Sequence, residues 1–181
     1  MIRSSKAIFV IALPTFLVLS GVSLTQAQEQ YGPPSPAPHR VSPDSADRAL
    51  VTTLSKADHD EIAMSRSALP SLKDPDVKRF AQLMIDDHTS ALSGLTMIAS
   101  RLHYPLAPDP MGPMGTGVTT DAQFVASQIT DHEQLLGVLP TNDQMIKDPG
   151  LRTHLADTRR AVQSHLDRAK NLQTKLSTMS P

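Results

Sequence analysis

Four polar residues, one in the middle of each predicted helix, are the part of the sequence best suited to chemistry. They are Glu61, His88, His132 and His165. On a helical wheel with about 100° per residue, each falls at the centre of an apolar stripe, so each must point inward if its helix packs. Three imidazoles and one carboxylate suit Zn, Fe, Mn or Cu. The pattern therefore indicates a site for one transition-metal ion in a helical core.

The spacing of these residues from the helix boundaries predicts that they lie at one level. Glu61 lies fourteen residues before Pro75, and His88 lies thirteen residues after it. Of the other two histidines, the first lies seventeen residues before Pro149 and the second lies sixteen residues after it. Each hairpin therefore brings its own pair level. Because His88 and the first histidine of the second hairpin each lie about thirteen residues into their helix, the two pairs can share one layer.

A metal-free arrangement of the same four residues is the other interpretation. Burying polar groups in an apolar core costs free energy unless they pair with one another or with an ion. In the metal-free case no cofactor is bound, Glu61 accepts hydrogen bonds from the histidines, and the layer only fixes the register of the helices. A different pairing of the helices would separate the four residues altogether.

Three aspartates are candidates for supporting the ligands rather than binding the ion. Asp58 shares the face of Glu61 and could join as a second carboxylate, although its position near the stripe edge favours a solvated side chain. Asp87 and Asp131 each precede a histidine by one residue, which turns them about 100° away from it. We therefore expect these two to contact a ligand or a neighbouring helix.

Helix start and stop signals predict one all-α domain, residues 44–178, built as a four-helix bundle. The predicted helices run from Asp44 or Ser45 to about Leu69, from Pro75 to about His103, from Thr120 to about Leu139, and from Pro149 to about Leu176. The segment 104–118 is rich in proline and glycine, so it must be a long connection that either crosses the bundle or turns back. Lys147-Asp148-Pro149 repeats Lys73-Asp74-Pro75, which suggests two helical hairpins in tandem.

The N-terminus has the features of a cleavable export signal. Two basic residues precede an apolar run over residues 7–22, and residues 25–27 place small side chains where a signal peptidase cleaves. The apolar run is shorter than the ~20 residues that a spanning helix needs. We predict a signal peptide over 1–27, a disordered Pro-rich linker over 28–43, and a periplasmic or secreted mature protein.

Composition and charge count against several classes of function. The absence of cysteine excludes disulfides, thiolate metal sites and a lipid-anchored cysteine. Cleavage removes two of the seventeen basic residues and leaves fifteen against eighteen acidic ones, so nucleic acid is a poor partner. The sequence has no second hydrophobic stretch long enough to predict a membrane span. Motifs for nucleophilic catalysis or for nucleotide binding are also missing.

Several short segments resemble one protein family. They are Glu61-Ile62-Ala63, Val77-Lys78-Arg79-Phe80-Ala81, Met84-Ile85-Asp86-Asp87-His88, His132 and His165-Leu166. Over Asp47 to Leu176 the chain resembles an exported bacterial ferritin-like family of unknown function, often labelled predicted outer-membrane proteins. The resemblance implies a ferritin-like bundle, exported, with no settled activity. Ile85 and Val162 stand where ferritin-like di-iron proteins have a glutamate three residues before histidine, so a single-ion site is favoured over a di-iron site.

Two functions from different classes follow from these observations. The first is an exported metal-binding module with Glu61, His88, His132 and His165 as ligands. The second is a non-catalytic cell-envelope protein that presents a surface to a partner and whose buried layer is metal-free. The sequence indicates no reaction, no particular partner and no oligomeric state.

Overall fold

The computed structural model describes residues 43–109, 118 and 120–179. The part of the chain that it describes contains four α-helices and one short 3-10 helix and has no strand, which confirms the all-α prediction. The α-helices are α1 (Pro43–Ala68), α2 (Pro75–Leu102), α3 (Asp121–Val138) and α4 (Pro149–Met179), and the 3-10 helix is Asp143–Met145. The predicted signal peptide lies outside the described residues, as does the predicted linker except for its last residue.

Local capping explains why the helix boundaries lie close to the predicted ones. The carboxylate of Asp74 accepts hydrogen bonds from the amides of residues 76 and 77, and Pro75 occupies the first helical position, where no amide donor is needed. The hydroxyl of Thr120 accepts from the amide of Gln123 at the start of α3. Helix α2 ends at His103, which has a left-handed backbone with φ of 55°.

Two buried or half-buried aspartates join the hairpin α1–α2 to the hairpin α3–α4. Both oxygens of Asp121 accept hydrogen bonds from the amides of residues 73 and 74, at 2.9 and 3.0 Å. Both oxygens of Asp47 accept from the amides of residues 147 and 148, at 2.7 and 2.9 Å. Each Lys-Asp-Pro segment is thus bound by an aspartate of the other hairpin. We call these two contacts the hairpin locks.

The locks also define the topology. Asp121 brings the start of α3 to the start of α2, so these two consecutive helices run in the same direction. Lys175, near the end of α4, binds Asp74 at the start of α2, so α4 is antiparallel to α2. The connection over residues 103–120 therefore joins opposite ends of the bundle. At about 3.3 Å per residue it can extend about 59 Å, more than the length of about 42 Å of α2. A single long crossover is also the connectivity of ferritin-like bundles.

The core consists of two apolar clusters. One contains residues from the first half of α1, the second half of α2, the connection between α3 and α4, and the first half of α4: Leu50, Val51, Leu54, Leu95, Ala99, Leu139, Ile146, Leu151 and Leu155. The other contains residues from the opposite halves together with the start of α3: Ala68, Leu72, Val77, Phe80, Ala81, Met84, Phe124, Val125 and Ala169. Along the helices, the buried polar residues other than Asp47 lie between these two clusters.

Helix packing is uneven around the bundle. Helix α1 packs on α2, α3 packs on α4, and α2 packs on α4, whereas α1 and α3 make little direct contact. The bundle therefore has one looser side, between α1 and α3. Among the described residues, every helix is too short or too polar to be a candidate membrane span.

Candidate metal centre

Three of the predicted residues meet in the middle of the bundle. His88 of α2, His132 of α3 and His165 of α4 are 5%, 2% and 3% exposed. Their ring centroids lie 5.5 to 5.9 Å apart, and one ring nitrogen from each lies within 4.8 Å of the other two. Three buried imidazoles this close together could hold a metal ion.

On each imidazole, one nitrogen is engaged by a neighbour. Nδ1 of His88 lies 2.9 Å from Oδ1 of Asp58, and Nε2 of His165 lies 2.9 Å from Oδ2 of Asp87. The ring of His132 donates to the main-chain carbonyl of Gln128, one turn earlier in α3. A carboxylate or carbonyl oxygen can only accept, so each of these bonds places the ring proton on the engaged nitrogen.

The other nitrogen of each ring has no hydrogen-bond partner among the described residues. These atoms are Nε2 of His88, Nε2 of His132 and Nδ1 of His165. In the neutral imidazole each carries a lone pair, which is what a metal ligand requires. Nε2 of His154 is also buried without a partner, but His154 is not one of the three imidazoles that converge.

The spacing of the imidazoles, measured between one ring nitrogen of each, is compatible with an ion at their centre. Points no more than 4.8 Å apart lie at most about 2.8 Å from a common centre, while Zn–N bonds are about 2.0 to 2.1 Å long. Shifts of less than about 1 Å at each ring would therefore complete the coordination.

Glu61, the predicted fourth ligand, is buried beside the imidazoles, but another residue binds its carboxylate. Nε2 of Gln128 donates to both oxygens of Glu61, at 2.9 and 3.2 Å. The sequence-based argument missed Gln128, which is fully buried. The signal was available, because Gln128 lies one turn before His132 on the same face of α3.

The three supporting aspartates have different surroundings. Asp58 is buried with only 5% exposure rather than solvated, because its carboxylate reaches His88 on the neighbouring helix. Asp87 reaches across to His165 on α4 and remains half-exposed. Asp131 lies at the surface, where partial desolvation of its carboxyl group and the charge of Asp60 raise its pKa. The structure therefore brings two of the three aspartates to an imidazole.

The carboxylates around the layer favour a positive charge within it. Burial lowers the pKa of His88, but the hydrogen bond to Asp58 and the charges of Glu61 and Asp87 outweigh it, so the pKa is raised. Burial and the two neighbouring imidazoles lower the pKa of His132 to about 3, so this ring stays neutral. Burial raises the pKa of Glu61 to about 7. The carboxylates favour a positive charge, whereas burial disfavours a protonated imidazole; a cation placed between the rings would satisfy both.

A pocket of about 390 Å³ opens on the looser side of the bundle, between α1 and α3. Glu61, His88 and His132 contribute to its lining, so two of the three imidazoles are next to open space. Met64 and Leu135 form part of its apolar wall. A small molecule can therefore approach the imidazole layer from this side.

Comparison with known proteins gives a family and no activity. No curated protein and no solved structure is significantly similar to this chain. The family described as "Domain of unknown function (DUF4142)" matches residues 32–172, which include all four helices except the last residues of α4. Because this match covers more than three quarters of the sequence, the chain belongs to the DUF4142 family.

Proposed function

We propose that this protein is an exported helical bundle that binds one transition-metal ion in its core through His88, His132 and His165. The observation that carries the proposal is the convergence of three buried imidazoles, each of which has one ring nitrogen without a hydrogen-bond partner among the described residues. A buried nitrogen without a partner costs free energy, and an ion that all three contact would remove this cost for the whole layer.

The contacts behind the ligands support this assignment. Metal-bound histidines usually donate their other ring N–H to a carboxylate or a carbonyl oxygen, which fixes the tautomer and strengthens the ligand. Asp58, Asp87 and the carbonyl of Gln128 occupy these positions for the three rings. Imidazole ligands favour Zn, Cu or Fe, and Mn is a further candidate because carboxylates lie nearby.

The export part of the proposal is supported by the sequence of residues 1–27. A basic start, an apolar run and small residues before the cleavage point are the three parts of a signal peptide. We expect the mature protein, in the periplasm or outside the cell, to begin at Gln28. Mass spectrometry of protein recovered from that compartment tests this, and a mass that includes Met1 to Ala27 would contradict it.

Metal titration tests the binding function. We expect metal-stripped protein, produced without an affinity tag, to bind one equivalent of at least one of Zn²⁺, Fe²⁺, Mn²⁺ and Cu²⁺. Because an ion that binds only the folded state stabilises it, the same ion should raise Tm, and a chelator should reverse the increase. The proposal fails if none of the four ions binds in a stoichiometric amount and Tm is insensitive to all of them.

A non-catalytic role in the cell envelope with a metal-free layer is the second candidate. It is favoured by the hydrogen bonds that already join Asp58 to His88, Asp87 to His165 and Gln128 to Glu61. This candidate predicts that replacing His88 with Leu together with His132 with Met preserves both the fold and the biological role. Loss of that role in a folded double variant would count against it.

A further inference from the structure

The pocket between α1 and α3 gives the proposed metal centre an open side. His88 and His132 line it, each more than nine-tenths buried and each with an unpartnered Nε2. The opposite side of the layer is closed, because α2 packs directly on α4 and Asp87 binds His165 there. Within the part of the chain that the structure describes, this pocket gives a ligand a route to an ion between the three imidazoles.

We propose that the bound ion keeps one coordination position open toward this pocket and that a small uncharged molecule with a nitrogen or oxygen donor takes it. This inference rests on the proposed function. Three protein ligands leave such a position at a four-coordinate ion, and this is the arrangement of reactive metal sites, whereas structural sites are closed by four protein ligands. The centre is thus built to bind a ligand and does more than stabilise the fold.

The residue that could close this position is bound elsewhere. The carboxylate of Glu61 also lines the pocket, but the amide of Gln128 binds both of its oxygens. Gln128 is itself fully buried, so a Glu61 carboxylate that moved to the ion would leave this buried amide without the acceptor it now has. Glu61 is therefore placed to form a hydrogen bond with a molecule on the ion.

The lining of the pocket determines the class of ligand. Its walls include the apolar side chains of Ala57, Met64, Leu135 and Val138. Its charged lining residues are Asp60, Asp131 and Glu61, and a single lysine, Lys56, which is paired with Asp60. The two unpaired carboxylates offset the charge of a divalent ion held between the imidazoles, so the site has little net attraction for an anion, while the apolar walls favour an uncharged body. The volume of about 390 Å³ admits a molecule of a few heavy atoms up to a small ring.

Cobalt-substituted full-length mature protein provides the test, because the visible spectrum of Co²⁺ reports its coordination. Binding of one equivalent of Co²⁺ is measured first. Imidazole at pH 8, where it is uncharged, and azide, a small anion, are then the two probes. We expect imidazole to change the spectrum saturably while the cobalt remains bound, and azide at equal concentration to leave the spectrum unchanged.

A pocket-filling substitution supplies the matched comparison. Ala57→Phe places a ring in the pocket, whereas Ala126→Phe places the same ring on the exposed surface of α3, away from the pocket. Imidazole should bind at least tenfold more weakly to cobalt-loaded Ala57→Phe and equally well to Ala126→Phe. If Ala57→Phe does not fold, the smaller Ala57→Leu replaces it, with Ala126→Leu as its control.

The outcomes separate the two proposals. Failure of the wild-type protein to bind cobalt or any other ion overturns the proposed function. Stoichiometric cobalt with a spectrum that imidazole does not change overturns the open position and leaves metal binding intact. An equal response to imidazole in Ala57→Phe and wild type overturns the pocket as the route, and an equal response to azide overturns the uncharged class of ligand.

Discussion

The hairpin locks and the imidazole layer are both built from polar groups inside the bundle, but they differ in how completely those groups are bonded. In the lock of Asp47, both carboxylate oxygens accept a main-chain amide. In the layer, each of three imidazoles keeps one nitrogen without a partner. Buried polar groups that serve only the fold are normally satisfied within it. His154 also has such a nitrogen, but among the described residues it is in the layer that three imidazoles of this kind converge, which marks the layer as a place for something the chain does not supply.

The largest expected effect is on the layer. His132→Leu should weaken metal binding by at least about 100-fold, because it removes one of three ligands and a supporting residue alone typically contributes 10- to 100-fold. The metal-free protein should keep or gain stability, since a buried, poorly bonded imidazole is replaced by an apolar side chain. Competition with a chromophoric chelator and urea unfolding measure the two effects.

His154→Leu is the matched control for that variant. Its Nε2 is also buried and unpartnered, but it lies outside the three converging imidazoles. We expect metal affinity to change by less than about threefold, which corresponds to about 0.6 kcal/mol. Equal losses of metal affinity in His132→Leu and His154→Leu would mean that the number of histidines determines metal binding and that the imidazole layer does not.

The second effect is on a hairpin lock. Asp47→Ala removes the acceptor of two charge-assisted hydrogen bonds to the start of α4, so it should lower the free energy of unfolding by about 2 to 3 kcal/mol. Metal affinity should stay close to wild type. Asp167→Ala, on the exposed surface of α4, is the control and should cost less than about 0.5 kcal/mol. A large loss of metal affinity in Asp47→Ala would remove the distinction between lock and layer.

The third effect is a pH dependence of the metal-free protein. The pKa of His132 is lowered from 6.5 to about 3, so between these values only the unfolded chain takes up the proton and stability rises with pH. The pKa of Glu61 is raised from 4.5 to about 7, so in that range only the folded chain keeps the proton and stability falls with pH. The two contributions oppose each other between pH 4.5 and 6.5.

Glu61→Gln removes one of these opposing contributions. Between pH 4.5 and 6.5, its stability should rise by about 2 kcal/mol more than that of the wild type, measured by urea unfolding in the presence of a chelator. Glu133→Gln, an exposed substitution on α3, should follow the wild-type profile. Parallel profiles for Glu61→Gln and wild type would contradict the buried, proton-retaining carboxyl described for Glu61.

The smallest expected effect concerns the support of a ligand. Asp87→Asn should weaken metal binding about tenfold, because the amide is a weaker acceptor for the ring N–H of His165. Asp86→Asn is its neighbour on α2 and bonds only to Gln82 on the surface, so it should leave affinity unchanged. Titration of both variants in parallel decides whether the contact or the local charge matters.

Most of the fold could be predicted from the sequence because its signals are local. Asp74-Pro75 and Thr120 with Gln123 begin helices by bonds within the first turn, and the structure has those bonds. The crossover could not be predicted. It follows from Asp47 and Asp121, which bind main-chain amides far away in the sequence.

The candidate site divides in the same way. The inward direction of His88, His132 and His165 follows from helical periodicity, and the structure buries all three. Asp58 is buried because α2 places His88 next to it. A helical wheel of α1 alone carries no information about the position of α2. The bond from Gln128 to Glu61 depends in the same way on the distance between α3 and α1.

Elemental analysis is the most direct test of the claim that the layer holds an ion. Full-length protein carrying its signal should be expressed without a tag, recovered from the compartment to which it is exported, and purified without chelators. We predict about one equivalent of a single transition metal per chain, and none in a folded variant with His88, His132 and His165 all replaced by leucine. Wild-type protein without metal, or equal metal content in the triple variant, would contradict the account.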